Sequence, residues 1–302
     1  DLVTDVKSLE LETLRNLKSS KASNTLRAYK SDYKDFASFC IKHGFKSMPS
    51  EPKIISLYLT HLSQTSKFST LKRRLASISV IHKLSGHYID IKHPMIMENL
   101  MGIKRIKGSY QKAKKPILIK DLKQIINAID NDKNEKNKVK NRALILVGFA
   151  GGFRRSELVA IHYEDVDFVP EGVKIFVKRS KTDQSGEGMT KGIPYFSNQK
   201  YCPVISLKNW IEKSEIKSGK IFDMSDKNVA LTIKKYTAIV GLDSNKYSGH
   251  SLRSGFATST AELGAEERSI MAMTGHKTTQ MVRRYIQEAN LFKNNALNKV
   301  KI

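Results

Sequence analysis

The chain has 302 residues, 53 basic against 29 acidic side chains (net charge +24), and 40% hydrophobic residues. That apolar content supports a packed core and excludes a disordered basic tail, and at about 100–200 residues per domain the length suggests two domains. Cys40 and Cys202 are its only cysteines, which excludes a disulfide framework or a cysteine-rich zinc site. No apolar run approaches the ~18–20 residues that cross a bilayer. The opening Asp1–Asp5 segment lacks the basic start and apolar middle of a signal peptide, so no membrane partner and a cytoplasmic location are expected. Residues 1–115 carry 22 basic and 9 acidic side chains and residues 116–302 carry 31 and 20, so the two parts are net +13 and +11. A polyanion can thus be gripped along the whole chain, and nucleic acid is the partner such charge points to, because each neutralised phosphate releases counterions.

The first third reads as helices. Val6–Leu17 has apolar residues at helical spacing, and Asn24 or Thr25 can cap a helix to about His43, with Leu26, Tyr29, Tyr33, Phe36 and Phe39 in one stripe and Gly44 as its stop. Ser50-Glu-Pro opens a third helix, and Ser69–Leu84 forms a fourth whose Lys72, Arg73 and Arg74 lie together. From Met101 the pattern breaks into a basic segment with two glycines and a proline, which predicts a linker over 108–116. Its Lys114 and Lys115 could follow a phosphate backbone, or serve only as a solvated tether. Helices are then expected at Ile119–Ile129, Asn141–Phe149 and Arg155–Ile161. Strands are expected at Val173–Lys178 and Gly188–Tyr195, with Ser180–Glu187 as the hairpin loop. Further helices follow at Leu207–Ser214, Asp226–Val240, His250–Leu263 and Glu266–Met273, and a last one from about Thr279. The expected fold is mainly α: a helical N-terminal domain, then a mixed α/β domain, mostly helical, with a small antiparallel sheet.

Several chemistries find no motif. Ser218-Gly-Lys220 lacks the first glycine of a phosphate-binding loop, H-E-x-x-H does not occur, and no acidic cluster suggests a two-metal nuclease. Phosphodiester chemistry without a metal needs cations around the phosphate and a protein nucleophile, and the second half offers both. Arg154 stands at a helix entrance in Gly152-Phe-Arg-Arg-Ser-Glu-Leu158. His250 and Arg253 fall one turn apart on one helix, after the predicted cap Ser248. Gly275-His276 ends a helix, Tyr285 follows nine residues later, and Lys181 sits where the hairpin turns.

With R-x-S-E-L, H-x-x-R, G-H and a tyrosine at that distance in this order, the chain resembles the tyrosine recombinases, or phage integrases, which include the Cre and Xer recombinases. Asn24-Thr-Leu-Arg-Ala-Tyr29 and the aromatics after it look like that family's core-binding domain. The resemblance implies that Tyr285 attacks a DNA phosphate to form a 3′-phosphotyrosyl bond. It implies that Arg154 and Arg253 clamp the non-bridging oxygens, Arg154 being favoured over Arg155 by the register, with Glu157 supporting the site. His250 would bond the phosphate or act as base, His276 would bond a non-bridging oxygen, and Lys181 would protonate the leaving 5′-oxygen, with Lys178 and Arg179 as alternatives. No metal and no cofactor are implied.

The same resemblance implies domains at 1–107 (core binding) and 117–286 (catalytic), followed by a C-terminal helix over 287–302 exchanged between protomers. In that segment Leu291, Phe292, Ala296, Leu297 and Val300 recur at spacings near three and four. Helical sequence from about Val6 predicts a simple recombinase without an added arm-binding domain. The expected partner is double-stranded DNA with inverted arms flanking a short spacer, bound by a homodimer and synapsed as a homotetramer through a Holliday junction. Candidate base-reading positions are Lys72–Arg74 and the helix bearing Lys234 and Lys235. A type IB topoisomerase-like relaxing enzyme and a non-catalytic DNA-binding protein on the same fold are the alternatives.

Overall fold

The computed structural model describes residues 6–20, 23–108, 113–178, 187–293 and 295–300. The chain divides into two compact units, Asp1–Lys112 and Ala113–Ile302.

The first unit is helical: α1 (Val6–Ser19), α2 (Ser23–Lys42), α3 (Pro52–Ser63), α4 (Phe68–Leu84) and α5 (Pro94–Lys107). Phe36 and Cys40 of α2 pack with Ile55, Tyr58 and Leu59 of α3, Leu71 and Ile78 of α4, and Ile96 and Leu100 of α5. One buried carboxylate ties α2 to α4: Asp32 accepts from Ser77 Oγ at 2.7 Å and from Arg73 at 2.8 Å, and its carbonyl accepts from Arg74 at 3.1 Å. His82, on the core face of α4, donates from Nδ1 to the Ile78 carbonyl (2.8 Å) and accepts the Ser50 N–H at Nε2 (3.1 Å), so both ring nitrogens are satisfied.

Helix α5 corrects the sequence reading, which broke the pattern at Met101. Pro94 sets its first turn, and His93 Nδ1 accepts from the Met95 N–H at 3.2 Å. Ile96, Leu100 and Ile103 form the buried stripe, but Met97, Met101 and Ile106 are exposed. Apolar side chains on both faces erase the helical period from the sequence.

The second unit starts with α6 (Ile119–Asp130) and α7 (Glu135–Ala150), then the single-turn α8 (Arg155–Leu158) and strands β1 (Val166–Val169), β2 (Gly172–Val177) and β3 (Met189–Pro194). It continues with α9 (Pro203–Ser214), α10 (Asp226–Ile239), α11 (Ser251–Glu262), α12 (Glu267–Thr274) and α13 (Thr279–Ala289). The sheet is antiparallel in the order β1-β2-β3, with Val166 opposite Ile175 and Val177 opposite Met189. β1 went unread because four residues are too few to carry a period, and its pairing with β2 defines it. Helix α7 begins earlier than its apolar run, because Asn134 caps it by accepting the Asn137 N–H at 2.9 Å. Every residue from Ala143 to Ala150 is buried, so α7 is the central helix, packed against α9 and α11. Helix α8 stops at Leu158 instead of running to Ile161. The Ile161 carbonyl accepts from Ile221 N–H (3.0 Å) and Tyr163 N–H donates to the Gly219 carbonyl (2.7 Å), which pulls this backbone into extended pairing.

The C-terminal helix read over 287–302 is likewise corrected. Helix α13 ends at Ala289, and the chain turns before a short 3₁₀ turn at Ala296–Lys299. Asn298 Nδ2 donates to the Phe292 carbonyl at 2.8 Å, a contact that closes the turn on itself.

The Asp32 anchor yields a stability test. Asp32→Ala leaves the Ser77 hydroxyl and the half-buried Arg74 without that partner, at a cost of about 2–3 kcal/mol. Asp32→Asn, which still accepts from Ser77, costs less. Urea unfolding of the whole chain, followed by amide exchange in α2 and α4, reads the difference.

Candidate active site

The end of α7 sets the first part of the site. Gly152 adopts φ +55°, a left-handed turn that favours glycine, and reverses the chain. Arg154 then stands as N-cap of α8, and Glu157, three residues on, accepts its backbone N–H at 2.9 Å and its guanidinium NH1 at 2.6 Å. Glu157 is buried, so this ion pair holds Arg154 at the helix entrance. Arg155 points away, 3.5 Å from Asp226 at the start of α10.

Helix α11 supplies the second part. His250 is its N-cap, and the predicted cap Ser248 instead accepts the His250 N–H at 3.3 Å while its own N–H donates to Ser251 Oγ at 2.9 Å. Arg253, one turn on, is 1% exposed. Its NH1 donates to the Gly152 carbonyl (3.0 Å) and its NH2 to His276 Nε2 (3.1 Å). Burial, with Arg154 nearby, pulls its pKa down to about 10, which still leaves it charged at neutral pH.

Helix α12 ends on Gly275 at φ +67°, and a Cβ there would stand 2.9 Å from Met189 Sδ. The reversal brings His276 back toward Arg253. Because His276 Nε2 accepts from Arg253, the ring proton is on Nδ1, which donates to Thr274 Oγ1 at 2.7 Å; that hydroxyl donates onward to the Ile270 carbonyl at 2.9 Å. Burial and the charges of Arg253 and Arg154 push the His276 pKa down to about 4, so the ring is neutral at pH 7.

Tyr285 lies on the inner face of α13, 8% exposed, with its hydroxyl 3.2 Å from His250 Nε2. Burial raises the phenol's pKa, while Arg253 and Arg284 pull it down and Glu288 raises it. Burial lowers that of His250, with Arg253, Arg154 and Arg155 acting the same way. A neutral imidazole therefore faces a protonated phenol, the arrangement that lets a ring nitrogen take a hydroxyl proton.

The structure thus gathers Arg154, Glu157, His250, Arg253, His276 and Tyr285 into one cluster. Lys181 and Arg179 lie outside the described residues, and Lys178 is paired with Asp165 at 2.9 Å. Among the candidate DNA contacts, Arg73 and Arg74 are tied to Asp32, Lys235 to Asp132 (3.2 Å) and Lys114 to the Asn245 carbonyl. Lys72 and Lys115 are exposed and Lys234 is half-buried. Among the described residues no His, Cys, Asp and Glu side chains converge as a metal site.

Two members of the cluster went unread. Thr274, immediately before Gly275-His276, sets the His276 tautomer. Lys191 of β3 is 1% exposed, with Nζ donating to the Gly151 carbonyl at 2.8 Å and standing 3.8 Å from Glu157 Oε2. Its only sequence signal was a lysine at an inward position of a half-buried strand.

Residues 117–291 match the phage integrase family. An integrase/recombinase described as a xerD homolog, from Selenomonas ruminantium, is 42% identical over 97% of this chain and 89% of its own length. The tyrosine recombinase XerC of Staphylococcus aureus is 24% identical over 93% of this chain and 91% of its own length. In fold, the chain is similar to the XerH site-specific recombinase solved on palindromic difH substrate, with TM-score 0.62, 17% identity, and coverage of 81% of this chain and 73% of that one.

The His276 environment predicts an acid-side stability loss. Its folded pKa lies near 4 against an ordinary 6.5, so between those values the unfolded chain binds more protons than the folded one. The ring's contribution is complete above about pH 6.5 and is lost as pH falls through about 4. His276→Gln, which does not titrate, flattens the decline of unfolding free energy across this window. Parallel urea titrations of the two proteins measure it.

Proposed function

This chain belongs to the phage integrase family and is a tyrosine-type site-specific DNA recombinase, and from that premise we propose that its cluster performs strand cleavage by Tyr285. The observation that carries the proposal is the Tyr285 hydroxyl, 3.2 Å from His250 Nε2 and beside the Arg253–His276 pair. The Tyr285 oxygen attacks the phosphorus and its proton passes to His250. Arg154 and Arg253 bond the non-bridging oxygens, where the pentavalent transition state gathers negative charge. As a phosphate anion enters, it competes for Arg253 and favours a charged His276, which then donates from Nε2 to a non-bridging oxygen. Lys181 donates the proton that the departing 5′-oxygen takes up. A 3′-phosphotyrosyl bond results, and attack by a 5′-hydroxyl reverses the chemistry on the new strand. The ester bond is exchanged rather than hydrolysed, so no nucleotide cofactor is needed, and the guanidinium groups supply the charge a metal would otherwise bring.

A relaxing enzyme with the same chemistry is not favoured, since the family and the relative that matches nearly the whole chain are integrases and recombinases. We further propose that a dimer binds inverted arms flanking a short spacer, that two dimers synapse as a tetramer, and that strands exchange in pairs through a Holliday junction. The reaction takes place with its DNA, in the cytoplasm. Exposed Lys72 and Lys115 and the α10 face bearing Lys234 are the proposed DNA contacts. For assembly, an apolar groove of about 640 Å³ opens between Leu122, Phe149, Ile193, Phe196, Leu263 and Met273. Leu291, Phe292, Leu297 and Val300 are exposed in the C-terminal segment. Seating that segment in the groove of the next protomer would bury both surfaces and close a ring.

Tyr285→Phe should bind DNA as the natural chain does and form no covalent adduct on a nicked suicide substrate. Adduct on a denaturing gel with Phe at this position would reject the nucleophile. Truncation after Glu288 should leave binding to a single arm nearly intact and abolish cooperative binding to two arms. Band-shift assays on one-arm and two-arm DNA separate these effects, and undiminished cooperativity would reject the exchange.

A further inference from the structure

Lys191 is a lysine where an apolar residue would be expected. It lies on β3 opposite Ile175 of β2, at a position facing the core, and is 1% exposed. A buried ammonium is costly unless it is paired and hydrogen-bonded. Its Nζ donates to the Gly151 carbonyl at 2.8 Å, stands 3.8 Å from Glu157 Oε2, and lies 4.3 Å from the centre of the Phe153 ring. Arg154 and Arg253 are the other charged groups that act on it. Burial pulls its pKa down to about 7, and Glu157 acts the other way, so near neutrality the ammonium depends on that carboxylate.

Two of these partners lead to the arginines of the site. Glu157 carries Arg154 through two bonds, at 2.9 and 2.6 Å. The Gly151 carbonyl, held by Lys191, directly precedes the Gly152 carbonyl, which takes Arg253 NH1 at 3.0 Å. The two glycines are needed for this approach: a Cβ at Gly151 would stand 2.1 Å from the Phe153 ring, and Gly152 has positive φ. Strand β3 also reaches the third part of the site, where Met189 packs on Gly275, just before His276. Enclosed in this way, Lys191 does not reach a bound phosphate itself.

Building on the phosphate site above, we propose that Lys191 is a positioning residue for the phosphate clamp: from β3 it fixes Glu157 and the Gly151–Gly152 carbonyls, and through them the guanidinium groups of Arg154 and Arg253. Its contribution is to hold two mutually repelling cations at a fixed separation before the anion arrives, which saves reorganisation during the reaction.

The test compares the full chain with Lys191→Met, which keeps the length and apolar stem and removes the ammonium. On nicked DNA the single-turnover rate of adduct formation should fall about tenfold or more, with DNA affinity within about twofold, since phosphate contacts elsewhere dominate binding. The distinguishing readout is a substrate whose scissile phosphate is a neutral methylphosphonate. With the charge gone, a misplaced clamp matters less, so the defect should shrink to about threefold or less. A merely structural role slows both substrates equally, and that result would overturn the proposal. So would a rate within about twofold of the natural chain on ordinary phosphate. If Lys191→Met does not melt cooperatively, Lys191→Gln, which retains an N–H for the Gly151 carbonyl, is measured against the same criteria. Tyr285→Phe run alongside keeps the two readings apart: adduct from that variant defeats the phosphate site, whereas adduct from the natural chain alone, with no Lys191 defect, defeats only this inference.

Discussion

Three buried or half-buried cations, Arg154, Arg253 and Lys191, crowd around one carboxylate, Glu157, and this imbalance organises the catalytic unit. Glu157 compensates only part of the charge; burial, with the remaining positive charge acting the same way, lowers the pKa of Lys191, Arg253, His250 and His276. His276 falls to about 4, and His250 shifts the same way. The cluster therefore keeps its imidazoles neutral at pH 7, while Arg154 and Arg253 stay charged. In the proposed mechanism an arriving phosphate supplies the missing negative charge, so binding and electrostatic relief are one event.

The fold supports this by bringing helix ends together. Arg154 and His250 are both N-cap residues, and His276 follows the C-terminal reversal of α12. Helix termini leave backbone groups free to orient side chains, whereas the middle of a helix offers only its surface. Tyr285 is the exception: it comes from the buried face of α13, where packing with Phe256, Ala257 and Val282 holds the ring while the hydroxyl reaches His250. Burial of the second half of α7, Ala143 to Ala150, and of nearly all of α11 gives these ends a rigid base.

Much of this was legible in the residue order. Lys and Arg in excess over both parts of the chain pointed to a polyanion. Helical spacing marked α2, α3 and α4, alternation marked β2, and β3 followed as its hairpin return. Arg154, His250, Arg253, His276 and Tyr285 stood out through short motifs in a fixed order, each of which is local. Where local signals conflicted, the reading failed: exposed methionines hid α5, and β1 was too short to show a period.

The sequence by itself determined a basic, mainly helical chain of two units and the chemical types at its site, because charge, periodicity and motif order are properties of neighbouring residues. Tertiary structure alone decided the pairings. His250 meets Tyr285 across 35 positions, Arg253 meets His276 across 23, and Lys191 meets Gly151 across 40. A stripe at 287–302 looked helical, yet the helix ends at Ala289, and Leu291, Phe292, Leu297 and Val300 are exposed. Lys191 shows the limit most plainly. Sequence shows a lysine at an inward strand position, and only the placement of Glu157, Gly151 and Phe153 around it makes burial of its charge tolerable.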